Sequence, residues 1–148
     1  MEYRLMTIDD YDEVYDIWVA CHNGLNSTDD SKEGIEKYLK RNPTTSFVAV
    51  DDSHVAGVIL CGHDGRRGYI QHMSVSPDHR RKGIGAKLVE LALNALNQEG
   101  IKKVALVAFS SNELGNAFWE AQGFTLREDL NYRNKALVDL EIIDTYKQ

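Results

Sequence analysis

The sequence predicts a single α/β domain built on a mixed β-sheet, spanning residues 1–148. Three features indicate this class: two amphipathic helical stretches before residue 43, three strand-like runs between residues 46 and 75, and a strand–helix–strand unit over residues 69–109. Strands joined by tight turns pair antiparallel, whereas a strand–helix–strand unit gives a parallel pair with a right-handed crossover. A chain of this length buries enough surface for one core.

The amino-terminal part predicts one short strand and two helices. Residues 3–6 form the strand, and apolar side chains then recur with helical spacing from Tyr11 to Val19. Ser31 is a suitable N-cap for the second helix, which we expect to end before Pro43.

The middle of the chain predicts an antiparallel meander. Its strand-like runs cover residues 46–50, 55–61 and 69–75, and the second turn contains the hairpin-forming pair Asp64-Gly65. Apolar positions from Ile84 onward then predict a helix that ends near Gly100.

The last third predicts two strands around a short helix. Residues 103–109 are almost continuously apolar, as in a strand covered on both faces. Residues 112–122 predict the helix, and a further strand is expected from Thr125. Residues 139–148 show no assignable pattern.

Composition excludes several functional classes. The net charge of −6 argues against nucleic acid as a partner, because binding phosphates needs a basic face. The first residues lack the apolar stretch of a signal peptide, and no apolar run approaches the roughly 20 residues of a membrane span, so we expect neither feature. Cys21 and Cys61 lie outside any CxxC or zinc pattern. We therefore expect a cytoplasmic protein with reduced thiols, no metal and no membrane contact.

A basic, glycine-containing segment lies between the strand at 69–75 and the helix that follows it. Its sequence is Arg80-Arg81-Lys82-Gly83-Ile84-Gly85. Free backbone N–H groups and the positive end of a helix bind anions, and glycine lets a diphosphate approach closely. The segment matches neither the Walker loop nor the dinucleotide fingerprint. The alternative interpretation is a flexible basic loop with an ordinary helix cap.

This segment resembles the signature of the GNAT acetyltransferase family, Gln/Arg-x-x-Gly-x-Gly/Ala. A second family pattern is matched by Asn112, Trp119 and Gly123-Phe124 at the expected spacing. The order of elements over residues 1 to about 131 is also similar to the family. The resemblance implies a mostly antiparallel sheet with a central parallel strand pair, splayed to admit acetyl-CoA and flanked by about four helices.

The resemblance also implies which residues bind the coenzyme. The pantetheine arm would pair with the backbone of the strand ending at Val75, and the diphosphate would bind the amides from Arg81 to Ala86. The expected cofactor-binding residues are Met73, Ser74, Val75, Arg80, Arg81, Lys82, Gly83, Ile84, Gly85, Ala86, Asn112 and Trp119. Asn112 also suits a helix N-cap.

The implied reaction transfers an acetyl group from acetyl-CoA to a primary amine. Family members often place a Tyr acid where this chain has Trp119, and an indole N–H is no practical acid. The thiolate then leaves unassisted, Trp119 only packs, or Tyr132 serves as the acid. The alternative for Tyr132 is a strand aromatic in the core.

His72 is the candidate general base, because the strand at 69–75 lacks a carboxylate and a neutral imidazole accepts protons near pH 7. Strand alternation would place it opposite Gln71 and Met73 unless the strand carries a bulge. A packing histidine is the alternative, and His63 and Asp64 are weaker candidates.

The acceptor site is expected between the first two helices and the later strands, shaped by residues 22–30. Asp29-Asp30 would attract a cationic amine or form a solvated acidic loop. Nothing in the sequence chooses between a small-molecule and a peptide amine. A non-catalytic acetyl-CoA sensor and a domain without ligand are the alternative functions. A homodimer is compatible with all three.

Overall fold

The computed structural model describes residues 1–143, which form a five-stranded mixed sheet with helices on both faces. The elements are β1 (Glu2–Leu5), α1 (Tyr11–Ala20), α2 (Lys32–Arg41), β2 (Phe47–Asp51), β3 (His54–His63), β4 (Gly68–Val75), α3 (Ile84–Gln98), β5 (Val104–Ala105) and α4 (Glu113–Ala121). The strands follow one another across the sheet in chain order, antiparallel except for the β4–β5 pair. The predicted fold class is confirmed.

The sheet separates two apolar cores. On one face, Trp18 of α1 and Ile35 of α2 pack against Val58. On the other face, Leu88 of α3 packs against Ile59. Neighbouring residues of β3 point to opposite sides, so this long buried strand contributes to both cores. No helix within residues 1–143 is long and apolar enough to cross a bilayer.

The helix starts differ in how they are capped. The side chain of Ser31 accepts the N–H of Gly34 at 3.0 Å, as expected for an N-cap, and Asn112 does the same for Gly115 at 3.0 Å. Helix α3 begins instead after Gly83, which has a φ of 77° and offers no side-chain cap. The first amides of α3, like those of α1, therefore lack the side-chain partner that Ser31 and Asn112 supply to α2 and α4.

Strands β4 and β5 pair over only two positions, Gly68 with Val104 and Tyr69 with Ala105. Beyond these, residues 70–75 of β4 have no neighbouring strand on that side among residues 1–143. The parallel pair therefore lies at the edge of the described sheet rather than at its centre. The predicted separation of the two parallel strands is therefore seen as an open edge of β4, which we call the β4 edge (residues 70–75).

The carboxyl-terminal part departs from the sequence prediction. The strand expected over residues 103–109 is limited to Val104–Ala105, and residues 125–141 form no strand. A strand needs a neighbouring strand to pair with, and no strand among residues 1–143 pairs with residues 106–108. Ile142 makes only an isolated bridge with Asn26. The unassigned segment 139–148 lies partly outside the described residues.

Candidate active site

The β4 edge presents two backbone amides to the gap beside β5. The N–H of Ser76 donates to the carbonyl oxygen of Ala56 on the β3 side at 2.8 Å. Since backbone groups alternate along an antiparallel pair, Ser74 also faces β3, whereas Met73 and Val75 face the gap. Of the three residues expected to pair with pantetheine, Ser74 is thus turned away. Its buried hydroxyl accepts a hydrogen bond from Asn23 at 2.6 Å.

The basic loop (residues 80–83) leads directly into the uncapped start of α3, and all four of its residues are exposed. A Cβ added at Gly83 would meet no atom within 4 Å, so this glycine is required by its positive φ and leaves open space in front of the amides. At Gly85 a Cβ would lie 3.3 Å from the ring of Phe118. Gly85 therefore allows α3 to pack against α4. The space that a diphosphate would need lies in front of Gly83 instead.

The residues of the second family pattern mainly stabilise the structure around α4. The Asn112 side chain caps α4 through the N–H of Gly115. The Trp119 ring packs edge-on against Phe118 at 5.0 Å and Phe124 at 5.1 Å between ring centroids. Trp119 thus belongs to the core beside α3, in keeping with an indole that cannot act as an acid.

A β-bulge determines where the candidate base points. Leu60 pairs with His72 and Cys61 with Ile70, so Gln71 is an extra residue in β4. His72 contacts Trp18, and Gln71 lines the same cavity wall as Tyr38; both therefore face α1 and α2. The strict alternation that would place His72 opposite Gln71 is wrong, because the extra residue resets the pleat.

The imidazole of His72 is paired with a carboxylate that the sequence did not single out as catalytic. Its Nε2 lies 2.8 Å from Oδ1 of Asp30, and the two side chains are only 14% and 8% exposed. The ring centroid of His72 lies 4.9 Å from that of Trp18. Asp30 is thus not part of a solvated acidic loop. One sequence feature could have indicated this: Asn26 is a turn-forming residue, and its side chain accepts the N–H groups of Thr28 and Asp29 in a turn that folds the loop back.

A cavity of about 380 Å³ adjoins Asp30 between α2 and β4. Tyr38 and Gln71 contribute polar groups to its wall, and Asp29, Lys37 and Arg41 contribute charges of both signs. Burial raises the pKa of the Tyr38 hydroxyl well above its ordinary value, which keeps it a hydrogen-bond donor. The cavity lies where the acceptor site was expected.

The remaining candidates lie elsewhere. Tyr132 is 66% exposed and outside any strand, so the alternative of a core strand aromatic is wrong. Burial, and then the nearby Tyr132, raise the pKa of Tyr69. His63 bonds Glu99 at 2.9 Å, and Asp64 accepts amides of its own hairpin, so both serve that turn. Residues 1–143 contain no group of three His, Cys, Asp or Glu side chains suited to a metal ion.

Comparisons with known proteins agree with this geometry. Residues 11–124 match the family described as "Acetyltransferase (GNAT) family". An acetyltransferase of Yersinia pestis (strain Pestoides F) is 26% identical over 141 residues, which cover 95% of this chain and 99% of that protein.

Two solved structures show the same fold. The PaiA N-acetyltransferase from Thermoplasma acidophilum in complex with coenzyme A has a TM-score of 0.73 and 21% identity, covering 85% of this chain and 90% of that one. An aminoglycoside acetyltransferase from a soil metagenomic sample in complex with sisomicin has a TM-score of 0.74 and 18% identity, covering 93% and 96%. Because the family match extends over most of the chain and its glycine signature lies at the uncapped start of α3, this chain belongs to the GNAT acetyltransferase family.

Proposed function

We propose that the chain transfers the acetyl group of acetyl-CoA to a primary amine by direct attack on the thioester. The observation that carries this proposal is the position of the β4 edge. It begins at the divergence from β5, has His72 at its middle, and ends at Val75, from which a 3₁₀ turn (Pro77–His79) leads to the basic loop. One extended coenzyme lying along that edge would place its diphosphate at the basic loop and its thioester near His72.

The basic loop and the start of α3 suit the diphosphate of the coenzyme. Exposed Arg80, Arg81 and Lys82 would meet phosphate oxygens, together with the amides that follow Gly83. The N–H of Val75 would pair with the pantetheine arm, and that of Met73 would donate to the thioester carbonyl oxygen. A donor fixed in advance at that oxygen stabilises the negative charge that develops there.

The amine side of the reaction needs a base. His72 would take the proton from the incoming ammonium, so that the neutral nitrogen attacks the carbonyl carbon. The C–N bond forms, the C–S bond breaks, and the sulfur leaves as a thiolate whose ordinary pKa of about 8.5 makes it a good leaving group. The nitrogen then loses its second proton, to that thiolate or to solvent, which leaves the neutral amide and the free thiol. Assistance by Tyr132 as an acid, and contact of Asn112 with the coenzyme, stay predictions.

The cavity beside Asp30 is the proposed acceptor site. Its charges of both signs suit a polar amine, such as an aminoglycoside or a peptide amino terminus. The solved relative with sisomicin makes that compound a reasonable first probe. A cytoplasmic location and a homodimer stay predictions, the latter checked by light scattering.

Calorimetry with two matched glycine variants tests the coenzyme site. Gly83 and Gly100 have φ of 77° and 80°, and a Cβ at either would meet no atom within 4 Å. Each change to Ala therefore costs about 1–2 kcal/mol of backbone strain at opposite ends of the same helix. We expect micromolar acetyl-CoA binding that Gly83→Ala weakens at least about tenfold, because the added Cβ obstructs the N-terminal amides. Gly100→Ala should bind like the wild type.

Turnover separates the enzyme from the sensor alternative. The assay detects free thiol during incubation of acetyl-CoA with sisomicin, spermidine or a peptide with a free amino terminus. His72→Ala should lower turnover while leaving the Kd for acetyl-CoA unchanged, and Tyr132→Phe should lower it only if that hydroxyl is the acid. Binding without turnover on any amine would favour the sensor, and absence of binding by folded protein would contradict both.

A further inference from the structure

We propose that Asp30 is a positioning residue that holds His72 as the Nε2–H tautomer and thereby directs its free Nδ1 toward the acceptor amine. This inference rests on the proposed function and adds a residue to it. A carboxylate only accepts hydrogen bonds, so the short contact between Oδ1 of Asp30 and Nε2 of His72 requires a proton on that nitrogen. In the neutral ring, Nδ1 then carries the lone pair.

The surroundings of the pair support orientation rather than an incidental surface contact. The N–H of Asn26 donates to Oδ2 of Asp30 at 2.9 Å, and the hydroxyl of Tyr11 donates to its backbone oxygen at 2.6 Å. Both carboxylate oxygens are thus used, and Asp30 is held through its side chain by the backbone of Asn26 and through its own backbone by the hydroxyl of Tyr11. Trp18 fixes the plane of the imidazole from the α1 side.

The free nitrogen is the one available for chemistry. Nδ1 of His72 makes no hydrogen bond with any other part of the chain that the structure describes, and it is not among the fully buried unpaired atoms. Asp30 also lines the acceptor cavity. His72 itself is not among the residues that line this cavity, so Asp30 is the residue that connects the base to it. The loop that carries Asp30 would thus both shape the amine site and orient His72.

A spectroscopic test needs no knowledge of the acceptor. Long-range ¹H–¹⁵N spectra of the full chain distinguish protonated from unprotonated ring nitrogens, and His72→Gln assigns the signal. We expect the Nε2–H form in the wild type and a mixture of tautomers in Asp30→Asn, whose amide both donates and accepts. Glu99→Gln is the matched control, since it alters the equivalent 2.9 Å contact of His63 and should leave His72 unchanged.

The kinetic arm uses the amine that gives turnover in the screen above. Asp30→Asn should lower kcat by about 10- to 100-fold, part of what a general base supplies, with the Kd for acetyl-CoA unchanged. A wild-type His72 in the Nδ1–H form, or an Asp30→Asn variant with wild-type kcat, would overturn the proposal. If no amine reacts, the proposed function fails by itself. The spectroscopic measurement of the tautomer requires no turnover, so it still tests whether Asp30 orients His72.

Discussion

Gly34 in α2 provides a test in which helix propensity and packing predict opposite results. Replacing a helical glycine by Ala normally stabilises a helix by about 1 kcal/mol. At Gly34, however, the added Cβ would collide with the backbone oxygen of Thr28 and lie 2.6 Å from that of Asp29. Ordinary carbon contacts are about 3.5 Å, so the loop must move back by about 1 Å.

Overpacking of this kind costs about 1–3 kcal/mol, which outweighs the gain in propensity. We therefore expect Gly34→Ala to lower the free energy of unfolding by about 1 kcal/mol in urea titrations. Because Asp30 follows the displaced residues directly, turnover should fall as well. Glu33→Ala, at the exposed neighbouring position, is the control and should stay within about 0.5 kcal/mol of the wild type. A Gly34→Ala protein more stable than the wild type would refute the packing argument.

Two further predictions concern acid stability and thiol reactivity. Burial disfavours the Asp10 carboxylate, but hydrogen bonds from Arg4 and Thr7 outweigh it and lower the pKa of Asp10, so its contribution is present above about pH 4 and lost as pH falls further. Asp10→Asn should therefore lower the free energy of unfolding in urea by about 1–3 kcal/mol at pH 7. The difference between wild type and variant should shrink toward pH 2; a difference that stays constant would mean that the pKa of Asp10 is ordinary. Burial raises the pKa of the Cys61 thiol to about 12, so iodoacetamide should modify half-buried Cys21 instead, as mass spectrometry of peptides would show. Acetyl-CoA should slow that modification, since Cys21 contacts Arg80 of the basic loop; equal labelling of both thiols would contradict this assignment.

The sequence predicted those features that depend on local periodicity. Helical spacing located α1 to α4, and the glycine signature located the start of α3, because these patterns are set by residues close in the chain. The features that it missed depend on partners distant in sequence. The bulge at Gln71 arises from the register between β3 and β4, and the burial of Asp30 from a loop folding onto β4, 42 residues further along the chain. The shortness of β5 follows from the neighbours that the sheet supplies, which no local pattern encodes.

The end of α1 and the turn after it explain how the β4 edge stays extended although no strand among residues 1–143 lies beside it. An unpaired edge strand lacks half of its ladder hydrogen bonds and would otherwise fray. Here β3 pairs with one side, while α1 and the turn after it contact the face: Trp18 of α1 packs on His72, and Asn23 after the helix donates to the hydroxyl of Ser74. Both contacts hold alternate side chains and leave the amide of Met73, which lies between them, facing the gap. These contacts therefore stabilise the strand and leave the amide of Met73 available to an acyl donor, whereas the thiol of Cys21 donates to the carbonyl oxygen of Val75 at 3.6 Å.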